Sequence, residues 1–97
     1  MARVVISSRA EVEVAQAAQW YERQQPGLGR QFMEALEAKL DLIGKQPLLF
    51  AMVRRAPDVR RVMLDRFPWH LWYFLERDEV RVFACLHAKR DPKSAQA

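Results

Sequence analysis

The chain has 97 residues and a mass of 11.4 kDa, which fits one domain spanning 1–97. At 51% hydrophobic and 29% charged, with three Gly and five Pro, its composition excludes disordered, collagen-like and low-complexity classes. No apolar run approaches the ~20 residues needed to cross a bilayer.

Met1–Ile6 turns polar at Ser7-Ser8-Arg9, too early for a signal peptide, so no membrane and a cytoplasmic location are expected. Cys85 is the single cysteine. It leaves no intrachain disulfide and no Cys-based zinc site, and it reads as a small buried hydrophobe. The net charge of +4 is unevenly placed. Residues 1–50 carry six Lys/Arg and six Asp/Glu, whereas residues 51–97 carry ten and six. Arginines outnumber lysines twelve to four, and arginine suits bidentate phosphate and carboxylate recognition. The basic half points equally to an anionic partner or to a solvated basic surface.

In chain order, Val4-Val5-Ile6 is β-branched and predicts an opening strand. Ser8 stands three residues before Glu11, the spacing of a capping box. Ala10, Val14, Ala17 and Tyr21 then form one apolar stripe of a helix, which Pro26-Gly27 ends. Leu28-Gly29 opens a second helix with the stripe Phe32, Leu36, Leu40, closed by Gly44 and Pro47. Phe50–Arg55 has room for a short strand before Ala56-Pro57-Asp58. Strands follow over Val59–Leu64, Trp69–Leu75 and Val80–Leu86, the last two joined by the charged turn Glu76-Arg77-Asp78-Glu79. On the last strand, alternation places Val80, Val82, Ala84 and Leu86 on one face and Arg81, Phe83, Cys85 and His87 on the other. The residues from about 93 onward read as a polar tail. The order β-α-α-β-β-β predicts an α+β fold, a small two-layer domain with a helical hairpin packed on an antiparallel sheet. Its other face would carry Arg, His and aromatic side chains with no further segment to cover them, an open surface for a partner.

The sequence has no Gly-rich phosphate loop, no Ser/His/Asp pattern and no metal-ligand cluster, so neither a metal nor a cofactor is expected. What remains is a basic set with two histidines. Metal-free RNA cleavage needs a base for the 2′-OH, cations for the phosphate and an acid for the 5′-oxygen. His70 and His87 with several arginines have the right chemistry, and exposed Trp or Tyr can hold an unstacked base. Each histidine also fits a hydrogen-bonded structural position at a strand end, and Arg60 and Arg61 also fit surface pairing with Asp58 and Asp65.

The ordered set Ala10 through Val14, Trp20-Tyr21, Pro26-Gly27-Leu28-Gly29 with Phe32, Pro47, Val59-Arg60-Arg61, Arg66-Phe67-Pro68, Tyr73 and His87-Ala88-Lys89-Arg90-Asp91-Pro92 resembles the RelE/ParE superfamily of toxins from type II toxin–antitoxin modules, also called plasmid stabilisation proteins. The resemblance covers nearly all of residues 3–92. It implies a growth-inhibiting bacterial toxin held by an acidic antitoxin that folds on binding. It divides by target: the RelE-like branch cleaves mRNA on the ribosome without a metal, and the ParE-like branch inhibits DNA gyrase. Carried over to this chain, Arg61 matches a basic position of the nuclease strand and Arg90 its C-terminal, phosphate-contacting arginine. His70 falls where that branch has a catalytic arginine, and His87 lies near a histidine that is catalytic in some members. A further basic residue of the branch is Met63 here, and its late aromatic has no counterpart. The nuclease reading therefore rests on His87, His70, Arg61 and Arg90. The Arg-Phe-Pro and His-x-x-Arg-Asp-Pro forms look closer to the ParE-like side. On that reading Arg60, Arg61, Arg66, Trp72, Arg81, Phe83, Lys89 and Arg90 are expected to meet the target or the antitoxin. A nontoxic protein-binding domain of the same fold is the third reading.

Overall fold

The computed structural model describes residues 2–55 and 58–90. The elements are β1 (Arg3–Ile6), α1 (Ser8–Gln24), α2 (Leu28–Lys45), β2 (Met52–Arg54), β3 (Val59–Met63), β4 (Trp69–Glu76) and β5 (Glu79–His87). Ala56-Pro57 and the expected polar tail lie outside the described residues. The strands form one sheet in the order β1-β5-β4-β3-β2. The expected two-layer α+β fold is thus observed, with two refinements. The short stretch after α2 does form a strand, β2. And β1 pairs parallel with β5, so the sheet is mixed rather than wholly antiparallel. The parallel edge has a packing reason: its register sets Val4 beside Val80 and Ile6 beside Val82, which turns both β1 side chains toward the helices.

The helix cap sits one residue earlier than the sequence spacing implied. Ser7, not Ser8, caps α1, its Oγ accepting from the Ala10 N–H at 3.1 Å. The Ser7 N–H still donates to the Val82 carbonyl, which continues the β1–β5 ladder. That pairing holds Ser7 extended (φ −67°, ψ 157°), the conformation an N-cap requires. Residue three after the cap is then Ala10, and the reciprocal carboxylate contact does not form. The α1–α2 turn is built around Gly27, with φ of 91°. Glu22 folds across it, and its carboxylate accepts the N–H groups of Gly27 (3.0 Å) and Gly29 (3.0 Å). An anion thus satisfies donors at the α2 N-terminus, where no side chain of its own does so. Gly29 lets the two helices approach closely, since a Cβ there would stand 2.6 Å from the Ala18 carbonyl oxygen.

Ala10, Val14 and Ala17 of α1 and Phe32, Leu36 and Ile43 of α2 pack on Val62, Leu71, Tyr73, Val80 and Val82 of the sheet. The Tyr73 hydroxyl donates to the Pro47 carbonyl at 2.7 Å, pinning the loop after α2. On β5 the even alternation fails. Trp72 pairs with Ala84 but Tyr73 pairs with Val82, leaving Phe83 as an extra residue. Val80 and Val82 face the helices, as does Cys85, whereas Ala84 and Leu86 turn to the outer face. There they join Val59 and Trp72 in a second buried cluster, with Phe83 packed against it. The outer face is therefore not the open aromatic surface expected, because Trp72 is only 2% exposed.

Gly29→Ala is expected to lower folding stability by ~1–3 kcal/mol through overpacking against Ala18. Gly27→Ala has no steric neighbour, so it should cost only the left-handed strain, ~1–2 kcal/mol. Urea denaturation of the two variants checks both values.

Candidate functional site

The register separates the candidate basic residues onto two sides of the sheet. Arg60 pairs with Tyr73 on the helix side, and its Nη1 donates to the Phe50 carbonyl at 2.7 Å. Arg61 pairs with Trp72 on the outer face, its guanidinium 5.3 Å from the Trp72 ring centroid. His70 lies on the same outer face, edge-on to Trp72 at 6.3 Å. It is buried, and burial lowers its pKa from the usual 6.5, reinforced by the Arg61 guanidinium and then by the neighbouring His87. Its imidazole is neutral at pH 7. The Nδ1 of His70 and the Nε1 of Trp72 have no hydrogen-bond partner among the described residues. Arg81 is held at the β4–β5 turn between Glu76 (3.1 Å) and Glu79 (2.8 Å).

His87 takes the other side. An open cleft of about 800 Å³ runs between α1 and the end of β5. His87 lines it with Trp69, their rings edge-on at 5.8 Å. The Lys89 N–H donates to His87 Nδ1 at 3.2 Å, which leaves the proton of a neutral imidazole on Nε2. Arg90 stands exposed at the rim, its N–H donating to the His87 carbonyl. From α1 come Arg9, Glu13 and the half-exposed Trp20. Glu13 accepts the Cys85 N–H at 2.9 Å and pairs with Arg9 at 3.3 Å, tying α1 to the strand just past the bulge. Burial, with the charge of Glu13, pushes the Cys85 thiol up to about 12, so it is no nucleophile at neutral pH.

The two motifs that marked the resemblance meet here. Phe67 is buried against Tyr21 (4.9 Å) and Phe32 (5.4 Å), and Arg66, at φ 72°, donates to Gln31 at 2.8 Å. Pro68 offers its carbonyl to the Ala88 N–H at 2.7 Å. Arg66-Phe67-Pro68 thus builds the β3–β4 turn and clamps the start of His87-Ala88-Lys89-Arg90. The structure brings His87 and Arg90 together, and separately Arg61, His70 and Trp72. Lys89 is exposed, and Phe83 flanks the outer cluster. Nothing in the sequence alone marks Arg9, Glu13 and Trp69 as cleft residues. Trp20 carried a signal of its own, a large aromatic off the apolar stripe of α1. Among the described residues no cluster of three metal-ligating side chains occurs, and no helix is long and apolar enough to cross a membrane.

Neither a protein-family profile nor a curated protein matches the chain. Solved structures do. The isolated E. coli RelE toxin superposes with a TM-score of 0.68 at 21% identity, covering 99% of this chain and 94% of that one. A chain of the chromosomal ParDE TA system from P. aeruginosa superposes with a TM-score of 0.67 at 12% identity, covering 90% and 96%. At these identities the shared property is the fold. The chain has the RelE/ParE toxin fold, in agreement with the resemblance read from its motifs.

The folded state binds the His70 proton less tightly than the unfolded chain. Stability is therefore expected to fall as pH drops below about 6.5, toward the folded value, because the unfolded chain takes up the proton first. Denaturation at about pH 7.5 and about pH 5.5 checks this. The loss should be smaller in His70→Gln than in the parent, and an equal loss in both would contradict it.

Proposed function

We propose that this chain is the toxin of a type II toxin–antitoxin pair, acting in the bacterial cytoplasm, where an acidic antitoxin neutralises it. The shared fold supports the class, and the ParE-like forms Arg66-Phe67-Pro68 and His87-x-x-Arg90-Asp91-Pro92 support gyrase as the target. The observation that carries the choice is the split of the four nuclease candidates. Arg61 lies with a buried, neutral His70 on the outer face, while His87 and Arg90 lie at the helix-side cleft. A phosphate-cleaving site needs its acid, base and cations around one phosphate. On this reading Arg61, Lys89 and Arg90 are the basic residues offered to target or antitoxin.

The metal-independent ribonuclease is the second reading, favoured by the 21% identity with the RelE toxin. Purified protein is expected to block gyrase supercoiling and to leave translated mRNA uncut in EDTA. Cleavage of mRNA in EDTA that is lost in His87→Ala and Arg61→Ala would establish the nuclease instead. Normal growth on induction without antitoxin would overturn both and leave the nontoxic binding domain.

A further inference from the structure

A second surface lies at the β2 end of the sheet, opposite β1. Seven large hydrophobic side chains stand exposed among the described residues, and four of them fall within residues 48–53. They are Leu48 (65% exposed), Leu49 (56%), Met52 (37%) and Val53 (41%). The stretch from Gln46 to Val53 carries no charged residue. Single exposed apolar side chains are ordinary, but four within six residues form an uncharged ridge that marks a contact surface.

The ridge is held out by a scaffold of its own. The Leu49 N–H donates to the Gln46 carbonyl at 3.1 Å, and the Tyr73 hydroxyl donates to the Pro47 carbonyl at 2.7 Å. The Arg60 Nη1 reaches the carbonyls of Leu48 (3.5 Å) and Phe50 (2.7 Å). Phe50 packs against the core, while its neighbours Leu49 and Ala51 stay exposed. Backbone ordered in advance lowers the entropy cost of covering these side chains. β2 is the last strand, with β3 as its strand neighbour, yet it has three residues and its register slips between Met52 and Arg54. Short, irregular edges resist the addition of another strand. The ridge is therefore suited to side-chain packing rather than to extension of the sheet.

We propose that residues 48–53 are the interface of a homodimer, in which two copies of the chain pack this ridge against itself across a two-fold axis through its middle. A two-fold contact asks only that a surface be self-complementary, and an uncharged apolar ridge is so. It offers no charge for an acidic or basic partner to pair with. The flanking charges agree with this occupant. Such an axis runs the ridges antiparallel, so Arg54 and Arg55 of the two copies lie at opposite ends. Six residues reach up to ~20 Å, well beyond the screening length of ~8 Å at physiological salt. Each arginine pair then meets the neutral Asp41–Lys45 ion pair (2.9 Å) on the last turn of the other copy's α2. The four side chains expose roughly 350 Å² per copy, against the ~800 Å² that each partner gives a standard interface. The dimer is accordingly reversible, with a dissociation constant on the order of 100 μM. This does not depend on the toxin assignment.

Sedimentation equilibrium of the full chain, from about 10 μM to about 1 mM, tests this. The mean mass should rise with concentration from 11.4 kDa toward twice that value. Leu48→Ser and Leu49→Ser change side chains already more than half in water, so the urea midpoint should hold. Together they should weaken the dimer roughly tenfold or more. Val12→Ser removes an equally exposed apolar side chain from α1 and should leave the dimer unchanged. Raising salt from about 0.05 M to about 0.5 M should leave it unchanged or tighten it, since the contact is apolar and the flanking charges are like-signed. In methyl NMR spectra the Met52 signal should move with concentration, whereas Met33, packed against the core, should not. A mass fixed at 11.4 kDa over the whole range overturns the proposal, whatever else the ridge binds. So does a dimer that survives the double substitution, that salt dissociates, or that forms while the Met52 methyl signal stays fixed.

Discussion

The fold turns on one irregularity, the bulge that leaves Phe83 without a partner between the Trp72–Ala84 and Tyr73–Val82 pairs. Before it, β5 supplies Val80 and Val82 to the helix side. After it, regular alternation would have sent Ala84 and Leu86 to that side too. The extra residue reverses them, so that Cys85 faces α1 and its N–H meets the Glu13 carboxylate. A half-buried carboxylate accepting a strand N–H holds α1 against the end of β5 more firmly than a neutral hydrogen bond would. The cleft opens just beyond that tie, and the side of the sheet that His87 occupies follows from the same reversal.

The bulge also explains how a chain this small maintains two apolar clusters. Val59, Trp72, Ala84 and Leu86 are buried on the outer face, with Arg61 over the Trp72 ring. An aromatic-rich β4 could not have satisfied both faces without a β5 that changes sides. The basic residues are divided by the same registers. Arg60 is spent on the carbonyls of the β2 approach, Arg81 on the turn carboxylates, and Arg66 on a left-handed turn that buries Phe67. The basic excess of the second half is thus partly structural, leaving Arg61, Lys89 and Arg90 as exposed cations near the two candidate surfaces.

Much of this was legible in the sequence. The stripes of both helices, the Pro26-Gly27 turn, the three long strands and the charged turn at Arg77-Asp78 follow from spacing and local propensity, and the structure has them. Local spacing points to Ser8 rather than Ser7 as the cap, because strand pairing with Val82, a contact distant in sequence, decides which serine is extended. The parallel pairing of β1 was hidden for the same reason. The bulge at Phe83 leaves no local mark, since Val80–Leu86 alternates plausibly either way. An error of one residue there exchanges the faces of Cys85 and Ala84. His87 and Arg90 were legible as site candidates from their motif, while Glu13 and Trp69 were not, because only the fold brings α1 to them.

Nuclear Overhauser contacts test directly whether β5 changes faces at Phe83. Contacts are expected from the Cys85 amide to the Glu13 side chain and from the Ala84 methyl to the Trp72 ring. Contacts from the Ala84 methyl to α1, with the Cys85 side chain against Trp72, would show an unbroken alternation and contradict it.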